Sequence, residues 1–580
     1  MKLNIKTLFI SFLGLTILSF GACEDMLDTD SSQVAFEDNN QIRNPADAFY
    51  TIGGILRELR ELGDRYVIMG ELRGDLMTAS QYASVSLQEI CDFEITSDNI
   101  YRDQRDYYKV INSCNYAIQK MDTTIFSRGE KIMLPAYAEI KAIRAWTYWQ
   151  LAQIYGKVKY IEKPILSLDA SLKEYPEMDM EQLATKLIAD LAPYVGIRVN
   201  NTNNRNLSPD YGHSIQIPML LGDLYLYQNQ YALAASMYFD FMTYGNTDDR
   251  PYLLSGGNPN FVSRWDDKTF SKNTINISHI LSYAAENISA LFYALDAKEY
   301  CSKMINLTVN DKPSLLPAEN YITFMRNSVY VDVDESFKIT TTAGDLRGHI
   351  PSLKTNQGQV GDAYYYVDMP DGAGSQAMIY KYYNPYFRFT SSGYDPDNNK
   401  LVIGNDRFAE RLAYVPYICL YRQPHLYLRY AQAVNRAEKP TLAYAVLKYG
   451  LTQMNVDSAK RVNPAELKGE FYTDIPKEIF DANLGTMARG LGRYVERDTI
   501  NHVIPKLSSL KDSIEWVELR ILDELAAETA FEGNRFFDLL CVSRRYPNHP
   551  EFMANKVSAK YANQAAMKAK LMSIENWFVK

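Results

Sequence analysis

Apolar residues recur at helical spacing in several separated stretches of the chain. The first runs from Asp47 to about Glu61, and its apolar positions are Ala48, Ile52, Ile55, Leu56 and Leu59. A second follows from 137 to Gly156, where one face carries Ala142, Ala145, Trp146, Trp149 and Ala152. This periodicity predicts two helices, and Gly156 is a suitable residue to end the second.

Two further stretches have the spacing of tetratricopeptide-like helix pairs. Between 217 and 239 the matching positions are Leu221, Gly222, Tyr225, Ala234 and Tyr238, with residues 228–230 as the turn. A weaker unit at 423–451 has Ala431 and Ala443 at the matching positions and a turn at 438–440. With the helices around Trp146 and from Ser513 to Phe531, they predict a mainly α protein of about four stacked helix pairs.

Between about Pro251 and Arg411 the helical periodicity disappears, and Gly, Asn, Asp, Ser and Tyr become frequent. This stretch is predicted to form loops with short strands or helices. Long irregular segments in compact proteins are often functional. We therefore expect the recognition surface here and in the loop after Arg73.

The composition is that of a globular protein, with 47% hydrophobic and 23% charged residues over 580 positions. The formal net charge is -9, and Lys and Arg are scattered among acidic residues. Nucleic acids are bound by clustered basic residues, so a nucleic-acid partner is excluded.

The N-terminus has the layout of an export signal. Lys2 and Lys6 precede an apolar run from Leu8 to Phe20, which is short for a membrane span. The following Gly-Ala-Cys at 21–23 resembles a lipobox, in which Cys23 is lipidated and becomes the mature N-terminus. Because Phe20 replaces the usual Leu, ordinary cleavage with an unmodified Cys23 is the alternative. Lipidation would anchor the protein at a membrane surface.

Sequence signatures of catalysis are absent: the chain has no HExxH, no Cys-x-x-Cys, no GxSxG and no phosphate-binding glycine loop. The six His residues lack metal-ligand spacing, and no cofactor is expected. The five cysteines after Cys23 predict no disulfide framework. The acidic pair Asp523 and Glu524 is expected on a solvated or salt-bridged helix face.

One loop concentrates oxygen ligands that could coordinate calcium, contributed by Asp395, Asp397 and Asn399. It lacks the downstream Glu of an EF-hand, so a solvated turn is the preferred interpretation.

Tyrosine is abundant, at 44 residues, and aromatic residues make up 13% of the chain. Flat aromatic faces with polar edges suit sugar rings, whose C–H patches stack on them while hydroxyls form hydrogen bonds. The candidate ligand-binding residues in predicted loops are Tyr82, Tyr101, Trp265, Tyr365, Tyr383, Tyr386 and Tyr394.

Several separated motifs together resemble the SusD/RagB family of nutrient-binding outer-membrane lipoproteins. They are Cys-Glu-Asp-Met-Leu-Asp at 23–28, Gly-Glu-Leu-Arg-Gly-Asp at 70–75, the helix at 138–156, Phe-Glu-Gly-Asn-Arg at 531–535 and Asn-Trp-Phe at 576–578. The Phe-Glu-Gly-Asn-Arg segment is expected to be a structural lock. In it, Gly533 ends a helix and Arg535 pairs with a carboxylate such as Glu528 or Glu532.

The resemblance implies a right-handed superhelix of tetratricopeptide-like pairs with an irregular binding face, seated on a SusC-like TonB-dependent transporter. The expected organisation is a signal peptide (1–22), a lipidated tether (23–40), helical parts (41–250 and 412–580) and a binding region (251–411). Residues 41–580 would form one compact domain. The protein would be lipid-anchored in the outer membrane and exposed at the cell surface.

The resemblance leaves the ligand class open. An oligosaccharide is the leading hypothesis because of the aromatic loops, and a peptide is the alternative, since some family members resemble peptide importers. A surface enzyme is the third hypothesis, and it would require convergent carboxylates or a metal site between Pro251 and Arg411.

Overall fold

The protein is mostly helical. The computed structural model describes residues 41–199, 215–244, 287–292, 302–308, 312–333, 338–345, 347–348, 363–368, 374–379, 381–382, 394–395, 400–402, 417–448, 450, 462–475, 485–491 and 504–580. The helices before residue 250 are α1 (Pro45–Arg60), α2 (Gly63–Glu71), α3 (Val85–Asp92), α4 (Arg105–Lys120), α5 (Leu134–Tyr155), α6 (Leu168–Ser171), α7 (Met180–Leu191), α8 (Ile217–Tyr227) and α9 (Tyr231–Tyr244). The later helices are α10 (Met304–Thr308), α11 (Glu319–Asn327), α12 (Gln423–Arg436), α13 (Pro440–Lys448), α14 (Thr486–Leu491), α15 (Leu510–Glu528), α16 (Arg535–Ser543), α17 (His549–Ser558) and α18 (Gln564–Leu571).

The strands are short and form small sheets. They are β1 (Met77–Ala79), β2 (Phe126–Ser127), β3 (Glu130–Lys131), β4 (Lys157–Lys159), β5 (Glu177–Asp179), β6 (Asn287–Phe292), β7 (Leu315–Pro317), β8 (Val329–Val333), β9 (Ile339–Ala343), β10 (Tyr364–Asp368), β11 (Ser375–Ile379), β12 (Tyr394–Asp395), β13 (Lys400–Val402) and β14 (Tyr417–Arg422). Among the described residues, the largest sheet has the order β11-β10-β13-β12, and the others are strand pairs. The described parts of 251–411 thus contain short strands and helices, as the sequence predicts.

The two helix pairs predicted from tetratricopeptide spacing are present. Helices α8 and α9 pack together around a turn in which Asn229 adopts a positive φ of 61°. A Cβ on Gly222 would lie 2.4 Å from the Tyr238 ring, so only glycine permits this approach. Helices α12 and α13 form the second pair, with Pro440 as the first residue of α13. The number of stacked pairs and the handedness of a superhelix stay predictions.

Helix α5 is buried on all sides and not along one face only. It begins at Leu134 and ends at Gly156, whose φ is 78°. The sequence predicts one apolar face, but α5 also buries Arg144, which donates to Asn115 Oδ1 at 2.8 Å and pairs with Asp190 at 2.7 Å. Charged residues can be buried here because each has a partner.

Most of the buried apolar residues form one core cluster that extends from Ile42 to Val579 and includes both helical parts. Within the described part of the chain, no helix combines the length and apolar content needed to cross a membrane. Cys91, Cys114, Cys419 and Cys541 are free thiols. The domain boundaries stay predictions.

Candidate functional site

Two motifs singled out in the sequence, residues 70–75 and 531–535, dock against each other. We call this contact the joint. A Cβ on Gly70 would lie 1.7 Å from the carbonyl oxygen of Gly533, so the two backbones touch. Glu71 Oε1 accepts hydrogen bonds from the backbone N–H groups of Gly533 at 2.8 Å and Asn534 at 3.0 Å. Tyr66 donates to Asn534 Oδ1 at 2.9 Å. The joint therefore holds the segments 70–75 and 531–535 in one position relative to each other.

The predicted partners of Arg535 are wrong. Arg535 pairs with Asp75 through two hydrogen bonds, Nε to Oδ1 at 2.6 Å and Nη2 to Oδ2 at 2.9 Å. Burial alone would raise the pKa of Asp75, but the guanidinium outweighs it and holds the pKa below its ordinary value. The motif is a structural lock, as predicted, but its carboxylate comes from a segment 460 residues away. The prediction that Gly533 ends a helix is wrong, because α15 ends at Glu528 and Gly533 lies in the turn before α16.

Glu528 and Glu532 have other cationic partners. Glu528 accepts from Arg347 at 3.0 Å and from Arg422 at 2.9 Å. Glu532 accepts from Lys381 and Arg422, each at 2.8 Å. Although burial opposes its ionisation, Arg422 and Lys381 lower the pKa of Glu532 to about 2. Arg347 and Lys381 belong to the predicted binding region, so these charges attach that region to the C-terminal helices.

Arg73 ties the C-terminal segment to the joint. It is fully buried and donates to the carbonyl oxygen of Trp577 at 2.8 Å, while its guanidinium lies 4.0 Å from the centre of the Phe536 ring. Burial lowers the pKa of Arg73 to about 9. Three of the motifs, residues 70–75, 531–535 and 576–578, thus meet at one place in the fold.

The chain leaves the joint as a two-stranded antiparallel ribbon. Strand β1 pairs with β7, with Met77 opposite Pro317 and Ala79 opposite Leu315. Past the strands, the backbone N–H of Ser80 donates to the carbonyl oxygen of Ser314 at 2.9 Å. The Ser80 hydroxyl donates to the carbonyl oxygen of Pro313 at 2.5 Å. The ribbon brings the loop after Arg73 next to residues from the predicted binding region.

Tyr82 stands at the far end of this ribbon. Its side chain is 49% exposed, and its backbone N–H donates to Ser80 Oγ at 3.0 Å. Lys312 Nζ lies 5.9 Å from the ring centre, and the Ser314 hydroxyl donates to the Tyr82 carbonyl oxygen at 3.4 Å. We call Tyr82, Lys312 and Ser314 the platform. It combines a flat aromatic face with an ammonium donor and an anchored backbone, so it can hold a polar ligand that has an apolar face.

Tyr101 is partly buried and packs against the core, and its contact with a ligand stays a prediction. It lies in a short 3-10 helix, Ile100–Arg102, with the Arg65 guanidinium 5.5 Å from its ring centre. Its carbonyl oxygen accepts from the Tyr155 hydroxyl at 2.6 Å. Burial raises the pKa of Tyr101 to about 12.

The remaining predicted residues cannot be joined to the platform. The backbones of Tyr365, Tyr394 and Asp395 lie in β10 and β12, and nothing is described of their side chains. The others lie outside the described residues: Cys23, Trp265, Tyr383, Tyr386, Asp397 and Asn399. No group of three or more metal-binding side chains occurs among the described residues. Asp523 and Glu524 are salt-bridged, as predicted, to Lys556 and Arg347 respectively.

A cleft of about 190 Å³ opens at the other end of the ribbon, beside the joint. Its walls come from the segment 75–76 and from α11, α15 and the end of α17. Sequence reasoning missed both this cleft and the role of Lys312 and Ser314. The only local signal was the Lys-Pro-Ser turn at 312–314, since the β1–β7 pairing that places it is non-local.

No protein-family model matches the sequence, and no curated protein matches it. Solved structures do match. A SusD superfamily protein from Bacteroides vulgatus is 11% identical with a TM-score of 0.56, over 90% of this chain and 92% of that one. A SusD homolog from Bacteroides thetaiotaomicron is 12% identical with a TM-score of 0.51, over 92% and 91%. A SusD-like carbohydrate binding protein from Bacteroides fragilis is 13% identical with a TM-score of 0.50, over 86% of each chain. This chain therefore has the SusD-like fold.

Proposed function

We propose that this protein is a cell-surface lipoprotein that binds an oligosaccharide nutrient and delivers it to a SusC-like TonB-dependent transporter, without catalysis. The observation that carries the proposal is the platform: an exposed tyrosine held on a ribbon whose base is locked at the joint. A rigid aromatic face binds a sugar ring at low entropic cost. The similarity to a carbohydrate binding protein of the same fold supports this ligand class.

The proposal includes the anchor and the partner. Lipidated Cys23 would hold the protein in the outer membrane, and the helix pairs would stack as a right-handed superhelix that contacts the transporter. The irregular region and the platform would then hold the ligand between this protein and the barrel. Co-purification with a TonB-dependent transporter from outer membranes is the expected result, and a lone protein in such preparations would contradict the partnership.

Ligand binding is tested by calorimetric titration of the purified full chain against panels of oligosaccharides and peptides. Tyr82→Ala should weaken oligosaccharide binding about tenfold, since a lost aromatic contact removes about 0.5–1.5 kcal/mol beyond the lost area. Tyr50→Ala is the matched control, because Tyr50 is also an exposed tyrosine, 73% exposed, on α1. Equal affinities for the two variants would contradict the platform.

Peptide capture is the second candidate function, and Lys312 is the observation that favours it. Its ammonium group beside the Tyr82 ring could pair with a peptide carboxylate. Such binding would weaken with salt and with C-terminal amidation of the peptide. Tight peptide binding with no response to oligosaccharides would overturn the leading proposal in favour of this one.

A further inference from the structure

The cleft at the joint end of the ribbon has the size of a binding site for one small ring. Its volume is about 190 Å³. A cavity of about 150 Å³ accommodates benzene, so this cleft has room for one six-membered ring with small substituents. It is open to solvent where the exposed residues Asn555 and Ala559 line it.

The charges around the cleft are balanced in pairs. Asp75 and Arg535 form its inner pair, with Nε and Oδ1 2.6 Å apart. Lys556 and Asp523 form an outer pair, with Nζ and Oδ1 3.6 Å apart and both side chains about one-third exposed. Because each charge has a partner of opposite sign, the cleft favours a neutral ligand that forms hydrogen bonds over an ion.

The cleft also has one aromatic side chain that a ligand can contact. Phe324 on α11 is partly exposed on one side, whereas its neighbour Tyr321 is only 1% exposed. Asn320 Nδ2 donates to the carbonyl oxygen of Asp75 at 2.9 Å, while its Oδ1 is buried and has no hydrogen-bond partner. Because Oδ1 is buried, the hydrogen-bonding side chains that a ligand can reach are those of Asn555 and Lys556 at the open side of the cleft.

We infer that this cleft is a second binding site, which takes one neutral sugar ring. The Phe324 ring fits the C–H face of a pyranose, and Lys556 and Asn555 can bond its hydroxyls. The inference rests on the proposed function for its ligand class. Ser80 below the platform lies four positions after Leu76 in the cleft, about 13 Å of extended strand, so one ring cannot occupy both sites.

The test uses the full chain and three monosaccharides as probes: glucose, galactose and N-acetylglucosamine, followed by saturation-transfer NMR and calorimetry. At least one should bind. Ala559→Trp should then weaken binding by at least about tenfold, because an indole at the exposed rim fills space that the ring needs. Ala565→Trp is the matched control, since Ala565 is an exposed alanine on α18 that does not line the cleft.

A second variant keeps an apolar side chain but removes the flat face. Phe324→Leu should weaken monosaccharide binding several-fold, by the about 0.5–1.5 kcal/mol assigned to aromatic contacts. A circular dichroism melt shows whether each variant is folded. The inference is overturned if the unaltered chain binds none of the three sugars, if Ala559→Trp binds them as well as Ala565→Trp does, or if alanine, a zwitterion, binds in their place.

The outcomes separate this inference from the proposed function. If Tyr82→Ala abolishes oligosaccharide binding while Ala559→Trp changes no sugar affinity, the function stands and the cleft inference fails. If only peptides bind at the platform while Ala559→Trp still weakens monosaccharide binding, the proposed ligand class fails and the cleft remains a sugar site.

Discussion

Breaking the ion pair between Asp75 and Arg535 should destabilise the protein strongly. Their side chains are 8% and 4% exposed, and two hydrogen bonds join them. Two unit charges about 4 Å apart attract by about 4 kcal/mol at an effective dielectric constant of about 20. Arg535→Met leaves the Asp75 carboxylate buried without its partner, and we expect a loss of about 3–5 kcal/mol in the free energy of unfolding.

The assay is urea unfolding followed by tryptophan fluorescence, with two comparisons. Asp75→Leu combined with Arg535→Met should recover most of the loss, because it removes both charges together. Lys109→Met is the control: it breaks an exposed pair with Glu61, 3.2 Å apart, and should cost less than about 1 kcal/mol. The reasoning is refuted if Arg535→Met costs no more than Lys109→Met, or if the double variant is as unstable as the sum of the single ones.

Three further predictions concern the backbone of the joint, its titration and the anchor. Gly533→Ala should lower the free energy of unfolding by at least about 1–3 kcal/mol, measured by thermal unfolding, because φ is 97° and the new Cβ would lie 2.6 Å from the Tyr66 ring. Gly129→Ala is the control and should cost less, because Gly129 has a similar φ of 87° but its Cβ would lie in open space. Burial raises the pKa of Glu71 from 4.5 to about 7, so its stabilising contribution is complete below pH 4.5 and is lost as the pH rises through 7. As the pH is raised from 4.5 to 8, the free energy of unfolding of Glu71→Gln should therefore increase by about 3 kcal/mol relative to that of the unaltered chain. Parallel curves of unfolding free energy against pH for the two proteins would contradict this. Cys23→Ala should release the protein from the membrane fraction, and retention there would contradict lipidation.

The helix pairs were predictable because their signals are local. The tetratricopeptide-like spacing already included Gly222 and Tyr238, and the Tyr238 ring occupies the space beside Gly222 between α8 and α9. The buried charges of α5 were not predictable as buried, because the polar partners of Arg144 lie on other elements. Periodicity finds a helix, whereas its surroundings depend on contacts distant in sequence.

The candidate site shows the same division. Tyr82 was predicted as an exposed loop residue, but its neighbour Lys312 is brought there by the pairing of β1 with β7, which no local pattern specifies. The partner of Arg535 was sought among nearby carboxylates. Gly533, with a left-handed backbone, turns the chain before α16, so the guanidinium meets Asp75 from the N-terminal segment instead.

The buried polar contacts of the joint are better explained as a way to fix the relative orientation of the two docked segments than as a source of stability. Apolar packing alone is compatible with small shifts between segments, whereas a bidentate ion pair and a carboxylate bound to successive N–H groups each accept one register. The ribbon starts directly after Asp75, so a fixed register at the joint fixes the direction of β1 and the position of Tyr82 at its far end. A ligand then meets a platform whose ordering has already occurred during folding, which lowers the entropic cost of binding.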